Sequence, residues 1–332
     1  MTTDIKLPLR QLMSKSAVDT PTLPNSVLNR QQANRFIDLV IDYSVLLKKA
    51  RTSRVNHAKG SINKLDLGTI VTEGAATTST LSTNTPTEGV LTYDTVKYRA
   101  GFDLGTDFTE DNIEGKGIRD FLLNQFSKRM AIDSELACIQ GDETLTTGDG
   151  QTAQNNILGV NDGWSKILNN NVPAAQKLDA GGKSPTKKLY YDMKRKIPAR
   201  FRVAKPDYVW IVPSGPSDKW KLEVSDRATP LGDTTLLSGM VTGPWGIPML
   251  EVPLMPEDLT FGTSGTDGSE IWLTPLQNLL YFIQREITIE FDRIPRQDKW
   301  QVTMHYRSDC EVEDPNMVIL ATNVSLSGTD YA

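Results

Sequence analysis

Alternation of apolar and polar residues is the strongest pattern in the chain, and it occurs in two regions. In the first region the apolar side chains fall at every second position, at Val96, Tyr98, Ala100, Phe102 and Leu104. In the second region, residues 287–306, two runs of the same kind are separated by the segment IPRQDK. A repeat of two predicts a half-buried strand, so we expect one strand at 96–104 and an antiparallel pair of strands near the end of the chain.

Three other segments repeat their apolar residues at helical spacing. Residues 117–140 contain no proline and carry a stripe at every fourth position, formed by Ile118, Leu122, Phe126 and Met130. This stripe predicts a helix roughly 35 Å long that ends before Gly141. Residues 30–51 and 184–197 have similar stripes, and Ser184 followed by a proline is typical of the start of a helix.

The order of these elements indicates the fold class. A strand-rich region is followed by the long helix, by a mixed middle part with a buried-strand run at 208–212, and finally by the antiparallel strands. There is no regular alternation of strand and helix and no internal repeat. We therefore predict an α+β fold.

A strongly polar segment interrupts the strand-rich region. Residues 71–90, VTEGAATTSTLSTNTPTEGV, contain seven threonines and two serines. The segment SINKLDLGTIV before them is a weaker strand candidate, and the strand pattern at 96–104 follows them, so the sequence predicts a long hairpin-like arm. Long structureless loops are uncommon inside compact domains, and an arm that docks onto another subunit accounts for this composition.

Composition and charge exclude several classes of protein. The chain has 332 residues, 38% of them hydrophobic, with a net charge of −5 and a mean hydropathy of −0.35. This acidic balance does not favour a nucleic-acid-binding protein. Two cysteines are too few for a disulfide framework, and no segment resembles a signal peptide or a membrane span. We expect a cytosolic product that does not bind membranes.

Candidate chemical groups are few and poorly arranged. Neither His57 nor His305 has a second ligand at metal-binding spacing, and His305 is expected on the solvated face of its strand. Cys138 and Cys310 fall on predicted apolar faces and are expected to be buried structural thiols. GGKS at 181–184 lacks the first glycine of a phosphate-binding loop. The sequence predicts no catalytic residue, no metal site and no cofactor, and thus no enzyme.

One cluster of positive charge leaves two alternatives open. Residues 187–205 contain eight lysines and arginines against a single acidic residue, Asp192. A nucleic-acid-binding module would use these cations together with the interleaved aromatic residues Tyr190, Tyr191 and Phe201. A solvated helix face explains them equally simply, and the acidic balance of the rest of the chain favours this second interpretation.

Six segments, taken in order, carry a resemblance to a known family. They are IVTEGA at 70–75, KYRAGFDLGTDFTEDN at 97–112, GIRDFLLNQFSKRMAIDSELACIQGD from 117, ILGVNDG at 157–163, GPWGIPMLEVPLMPED from 243 and RSDCEVEDPNMVILATN from 307. Together they resemble the major capsid proteins of tailed double-stranded DNA phages with the HK97-type fold. No single motif is diagnostic, and the order of the segments carries the resemblance.

The resemblance implies a domain organisation. It consists of an N-terminal arm at 1–29, an N-terminal helix joining the P-domain at 30–55, an extended E-loop at 56–100, a P-domain at 101–180 with its spine helix at 117–140, an A-domain at 181–270, and C-terminal P-domain strands and tail at 271–332. About thirty residues precede the first predicted helix, so a scaffold is expected to be a separate chain. Some relatives form Lys–Asn crosslinks, but we predict no covalent crosslinking here.

The resemblance also implies a function and its partners. It predicts a structural protein that forms hexamers and pentamers in an icosahedral virion shell around packaged double-stranded DNA, without sequence specificity. Assembly is expected in the host cytoplasm with separate scaffold and portal proteins and possible decoration proteins. An encapsulin-like compartment is the alternative. The E-loop residues expected to contact a neighbouring subunit are Glu73, Thr77, Thr78, Thr80, Thr83, Thr85 and Glu88.

Overall fold

The computed structural model describes residues 44–66, 87–105, 118–148, 150–204, 207–226, 243–261, 265–284 and 288–331. The predicted N-terminal arm at 1–29 and most of the polar tip at 71–90 lie outside the described residues. The helices are α1 (Ile118–Gln140), α2 (Ala153–Leu158), α3 (Trp164–Asn171), α4 (Lys187–Arg195), α5 (Ala199–Ala204) and α6 (Ser214–Ser225).

The described strands form three sheets. They are β1 (Arg51–Val55), β2 (Lys59–Asp66), β3 (Thr87–Asp94), β4 (Val96–Gly105), β5 (Lys177–Lys183), β6 (Tyr208–Val212), β7 (Met249–Glu251), β8 (Leu259–Phe261), β9 (Gly265–Pro275), β10 (Leu279–Gln284), β11 (Thr288–Ile294), β12 (Lys299–Val312) and β13 (Ile319–Ser325). Short 3₁₀ turns at Ala174–Gln176, Pro244–Gly246, Leu276–Asn278, Pro295–Gln297 and Pro315–Met317 connect several of them.

The first sheet has the order β1-β10-β12-β11, and β4 pairs with the other edge of β12. The predicted strand at 96–104 is confirmed as β4. The predicted antiparallel pair is confirmed as β11 and β12, whose register runs from Thr288 opposite His305 to Ile294 opposite Lys299. The alternation of apolar and polar residues in the sequence therefore corresponds to one buried face and one more exposed face of this sheet.

Helix α1 packs against the buried face of the first sheet, and its predicted bounds are confirmed. Tyr98 of β4 and Tyr306 of β12 stack with ring centroids 5.1 Å apart, and the hydroxyl groups of Ser134 and Tyr306 lie 3.2 Å apart. The helix ends where glycine allows a close approach of two backbones. A methyl group on Gly141 would lie 2.3 Å from the Asn161 carbonyl oxygen.

The second sheet has the order β5-β13-β9-β6-β7, and β8 pairs with β9. Both of its faces are buried. One face continues the core formed with α1 and α3 through side chains such as Ile211 and Trp272. The other face packs against α4, α5 and α6 through side chains such as Trp210 and Leu273. The helices of the middle region therefore form a separate layer on this sheet.

The predicted helix at 30–55 is wrong over its described part. Residues 44–50 form turns, and residues 51–55 form β1, which pairs in parallel with β10 from Leu280 to Gln284. Leu46 and Leu47, at the end of the predicted helix, are both fully buried in the core. The sequence alone does not indicate β1, since its backbone partners come from the far end of the chain.

Two strands pair differently from what the sequence pattern suggests. The strand at 96–104 does not return from the arm, because β3 does so and β4 belongs to the first sheet. Among the residues from 271 that were assigned to the P-domain, β13 lies between β5 and β9 in the second sheet, and the domain assignment itself stays a prediction. A bend at Pro315–Met317 separates β12 from β13, so that consecutive strands enter different sheets.

The predicted N-cap of α4 at Ser184 is wrong by two residues. The helix begins at Lys187 after Thr186 in the N-cap position. Ser184 is fully buried, and its backbone N–H donates to the Thr329 carbonyl at 2.8 Å. Ser184 thus ties the chain to the segment after β13, where backbone pairing takes precedence over helix capping.

A buried carboxylate on the second sheet connects this sheet to helix α3. Glu270 of β9 is 3% exposed and accepts hydrogen bonds from Ser165 Oγ at 2.8 Å, Asn169 Nδ2 at 2.5 Å and Trp272 Nε1 at 3.0 Å. Burial raises the pKa of Glu270, and the three donors oppose that shift. The carboxylate therefore holds α3 against the second sheet.

We expect Glu270→Ala to lower the free energy of unfolding by about 3 kcal/mol, because one buried donor and two half-buried donors lose their acceptor. Urea unfolding followed by circular dichroism measures this change. Glu290→Ala, which removes an exposed carboxylate from β11, serves as the control and should change stability by about 0.5 kcal/mol or less. Equal losses in the two variants would contradict the assigned role of Glu270.

Candidate assembly surfaces

A two-stranded arm leaves the core between β1 and β4. Its strands β2 and β3 pair antiparallel from Lys59 opposite Asp94 to Asp66 opposite Thr87, and they form a sheet separate from the other two. Of the predicted contact residues, Glu88 lies in β3 opposite Leu65. The others lie outside the described residues: Glu73, Thr77, Thr78, Thr80, Thr83 and Thr85.

The root of the arm is fixed to the first sheet by an aromatic contact. The rings of Tyr93 and Phe282 stack with centroids 4.8 Å apart, and Leu91 packs against the same small core beneath the arm. The Tyr93 ring lies across Gly60 of the opposite strand, where a Cβ atom would come within 2.3 Å of the Tyr93 hydroxyl. Glycine at position 60 therefore leaves room for the Tyr93 ring to pack across the β2 backbone.

A buried aspartate connects the arm root to strand β12. Asp309 is 5% exposed, and its carboxylate accepts from the Asp94 backbone N–H at 2.7 Å, Asn161 Nδ2 at 2.7 Å and the Cys310 backbone N–H at 2.8 Å. Burial raises the pKa of Asp309, and these hydrogen bonds counteract the shift. A single side chain thus joins the arm, the loop before α3 and the central strand.

Glu311 lies two residues further along the same face of β12. Burial, and after it the charge of Asp309, raises the pKa of Glu311 from 4.5 to about 7, while Lys64 of the arm lowers it and Asp162 raises it. The arm root therefore covers a group whose ionisation adds negative charge beside Asp309.

The arm exposes apolar side chains on both of its faces, because the register places Ile62 on the face of Leu91 and Tyr93 and Val90 on the opposite face. Val90 is 60% exposed and Ile62 is 38% exposed, and both lie in the β2–β3 pair beyond the Tyr93 contact. An isolated two-stranded hairpin is marginally stable in water. The arm therefore has a firm root and an outer part that this chain's described residues do not cover.

The predicted chemical candidates are not brought together. Cys138 and Cys310 are both buried free thiols, as predicted. His57 is exposed and His305 is half-buried on the more exposed face of β12, as predicted for its face. The His305 Nδ1 atom is enclosed and lacks a hydrogen-bond partner among the described residues. No group of three or more potential metal ligands and no helix able to cross a membrane occurs in the described part of the chain.

The basic run at 187–205 is divided between α4 and α5. Tyr190 and Phe201 are buried in the core, so they cannot stack on nucleic-acid bases. Arg202 donates to the Ile197 carbonyl at 2.8 Å, and Lys196 donates to the Ala175 carbonyl at 3.1 Å. Much of the run therefore satisfies the chain's own backbone, and Tyr191 is the interleaved aromatic residue that remains exposed, at 42%.

Comparison with known proteins gives one sequence relative and many structural ones. No family model matches the chain. YqbE of Bacillus subtilis (strain 168), which is named as a prophage capsid protein, is 25% identical over 315 residues, or 93% of this chain and 96% of YqbE. A chain of the satellite phage P4 procapsid, whose structure includes the size determination (Sid) protein, matches with a TM-score of 0.67 at 14% identity, covering 98% of this chain and 100% of that one. This chain has the HK97-type capsid fold.

Two further structures define the breadth of this fold. The capsid of the native GTA particle matches with a TM-score of 0.59 at 14% identity over 85% of this chain and 91% of that chain. The SrpI encapsulin complex of Synechococcus elongatus matches with a TM-score of 0.54 at 12% identity over 100% and 99% of the two chains. The resemblance to phage major capsid proteins and the α+β fold class are confirmed, and the relatives indicate a structural role.

We expect Tyr93→Ala to loosen the arm root, because the stacking contact with Phe282 is lost. Hydrogen exchange of the β2 and β3 amides should become about tenfold faster, while exchange in α1 stays unchanged. Thr92→Ala, on the opposite and exposed face of β3, is the matched control. Unchanged exchange in the Tyr93 variant would show that the aromatic contact does not hold the arm.

We expect the free energy of unfolding to fall as pH rises from about 5 to about 8. The folded state retains the Glu311 proton up to about pH 7, whereas the unfolded chain releases it near 4.5, so rising pH favours unfolding in this interval. Glu311→Gln should reduce this decline in urea midpoints, and Glu290→Gln should leave it as in the wild type. A decline of the same size in the Glu311 variant would contradict the assignment.

Proposed function

We propose that this chain is a major capsid protein that self-assembles as hexamers and pentamers into an icosahedral phage shell. The observation that carries the proposal is the capsid fold over nearly the whole chain, together with a sequence relative named as a prophage capsid protein. The arm gives this proposal its physical basis. The root of the arm is held by Phe282 and Asp309. The outer part of the arm is available for contact with another surface.

A neighbouring copy is the surface that fits the arm best. Docking would cover Val90, the more exposed of the two apolar side chains, and the unpaired strand edges of the hairpin would gain backbone hydrogen bonds. Threonine-rich residues at the tip favour extended backbone and remain compatible with water before docking. Many such contacts, each of them weak, stabilise a closed shell because symmetry repeats them.

The proposed shell encloses double-stranded DNA and contacts it through dispersed lysines and arginines, without reading bases. A net charge of −5 fits weak contact with the packaged polyanion and leaves condensation of the DNA to other components. Separate scaffold and portal proteins, assembly in the host cytoplasm and a final place in the virion complete the proposal. The predicted contact residues from Glu73 to Glu88 belong to the docked arm.

An encapsulin-like compartment is the second candidate, since an encapsulin chain shares this fold over its full length. The contents of the particle distinguish the two. Particles isolated from producing cells and treated with nuclease should retain double-stranded DNA if the phage assignment is right. Particles that retain a folded protein cargo and no DNA would support the encapsulin assignment.

We expect deletion of residues 76–87 to leave a folded subunit that no longer forms complete shells, because the docked part of the arm is removed. Circular dichroism and the thermal midpoint test folding, and negative-stain microscopy with light scattering tests assembly. Replacing residues 76–87 with a Gly/Ser segment of equal length is the control for chain connectivity. Normal shells from the deletion variant would contradict the role of the arm, and a wild-type chain that stays monomeric at every salt concentration would contradict the proposed function itself.

A further inference from the structure

The exposed side of α4 carries a basic stripe with an aromatic centre. Lys187, Tyr191 and Arg195 are exposed and spaced four residues apart, so they lie along one side of the helix over about 12 Å. The opposite side of α4 is buried in the core through Leu189 and Met193. We call Lys187, Tyr191 and Arg195 the basic stripe.

Trp245 enlarges the apolar centre of the basic stripe. Its ring lies 5.3 Å from that of Tyr191 and is 51% exposed, and Lys194 Nζ lies 5.8 Å from the Trp245 ring centroid. The Trp245 backbone is held at φ 60° and ψ 25°, a left-handed conformation that a bulky side chain rarely adopts. The fold thus accepts local strain and displays its largest type of apolar side chain to solvent, which is typical of a contact surface.

The neighbouring helix α6 carries the complementary pattern. Asp218, Leu222 and Asp226 are exposed at the same spacing of four, and Leu222 is 55% exposed. Lys221 lies 3.0 Å from an Asp218 carboxylate oxygen, and it also binds Glu251, so Asp218 is partly neutralised and Asp226 is the stronger charge. We call Asp218, Leu222 and Asp226 the acidic stripe.

Each stripe places one charge at a helix end where the dipole disfavours it, whereas Arg195 lies in the last turn of α4, where a cation is favoured. Lys187 occupies the first position of α4, whose N-terminal end attracts anions, and that first turn contains no acidic residue. Asp226 is the C-cap residue of α6, at the end that attracts cations. These charges therefore do not serve the stability of their helices, and each is of the sign that the other stripe would bind.

We propose that the basic stripe of one copy packs against the acidic stripe of the next copy in a head-to-tail contact. Tyr191 and Trp245 would cover Leu222, with opposite charges on both sides of this apolar centre. Each stripe reads charged, apolar, charged in both directions along its helix. The two helices could therefore pair in a parallel or an antiparallel orientation. A contact between two different patches of the same chain forms a ring when the rotation between copies closes, and an open filament when it does not. This inference rests on the proposed function, which requires rings of five and six copies.

Charge reversal tests the contact. The variant Lys187→Glu/Arg195→Glu has two acidic stripes, and Asp218→Lys/Asp226→Lys has two basic ones. Each alone should raise the protein concentration needed for half-maximal assembly by about tenfold or more, because like charges face each other. The charge-preserving variant Lys187→Arg/Arg195→Lys should assemble like the wild type, and thermal midpoints show whether each variant is folded.

Mixing the two reversed variants gives a sharper test. Copies would then alternate around a ring, and alternation closes only with an even number of copies. Native mass spectrometry should detect restored hexamers without pentamers, whereas the fourfold reversal in a single chain should restore both.

Reversed variants that assemble like the wild type would overturn the contact. Variants that form normal shells but lose retained DNA would overturn it in favour of a nucleic-acid surface, and a lowered thermal midpoint with normal assembly would assign the stripes to the subunit's own stability. Failure of the wild type to assemble would instead count against the proposed function.

Discussion

Strand β12 forms backbone hydrogen bonds along both of its edges and packs other elements on both of its faces. The rest of the described subunit is arranged around it. One edge pairs with β11 and then β10, and the other edge pairs with β4. On one face Met304 and Tyr306 pack into the core beneath α1. On the other face Asp309 holds the arm root. A displacement of β12 would therefore disturb the sheet, the long helix and the arm together.

Buried carboxylates are placed where elements from different parts of the chain meet. Glu135 of α1 accepts hydrogen bonds from the backbone N–H groups of Val45, at 3.0 Å, and Leu46, which fixes the turn leading into β1. Glu270 holds α3 against the second sheet in a similar way, and Asp309 holds the arm root against β12. Burial raises the pKa of all three, so each junction combines a desolvated charge with a specific set of donors. Such groups favour one geometry over others because a displaced donor would leave the carboxylate without a partner.

The spacing of apolar residues predicted those helices and strands that have one buried side. The repeat of four in α1 and the repeat of two in β4, β11 and β12 are present in the sequence because each element has one buried side. β1 was missed because its strand conformation depends on pairing with β10. The sheet that contains β13 was not indicated because its apolar run fits either sheet. The polar arm was predicted from its composition. The two charged stripes were not, because the exposure of Tyr191 and Leu222 depends on which side of each helix is buried. Cations at the start of α4 and an acid at the end of α6 were the signals that could have indicated them.

The position of β13 has a consequence for synthesis of the chain. β13 lies between β5 and β9, in parallel with one and antiparallel to the other, so these two strands have no direct contact across the sheet until β13 arrives. The ribosome makes β5 and β9 well before β13. The layer that holds α4 and α6 can reach its final arrangement only after residues 319–325 have left the ribosome tunnel. A growing chain therefore carries β5 and β9 with unpaired edges until its last strand is released, and these edges are the sites at which nascent subunits are most prone to incorrect strand pairing.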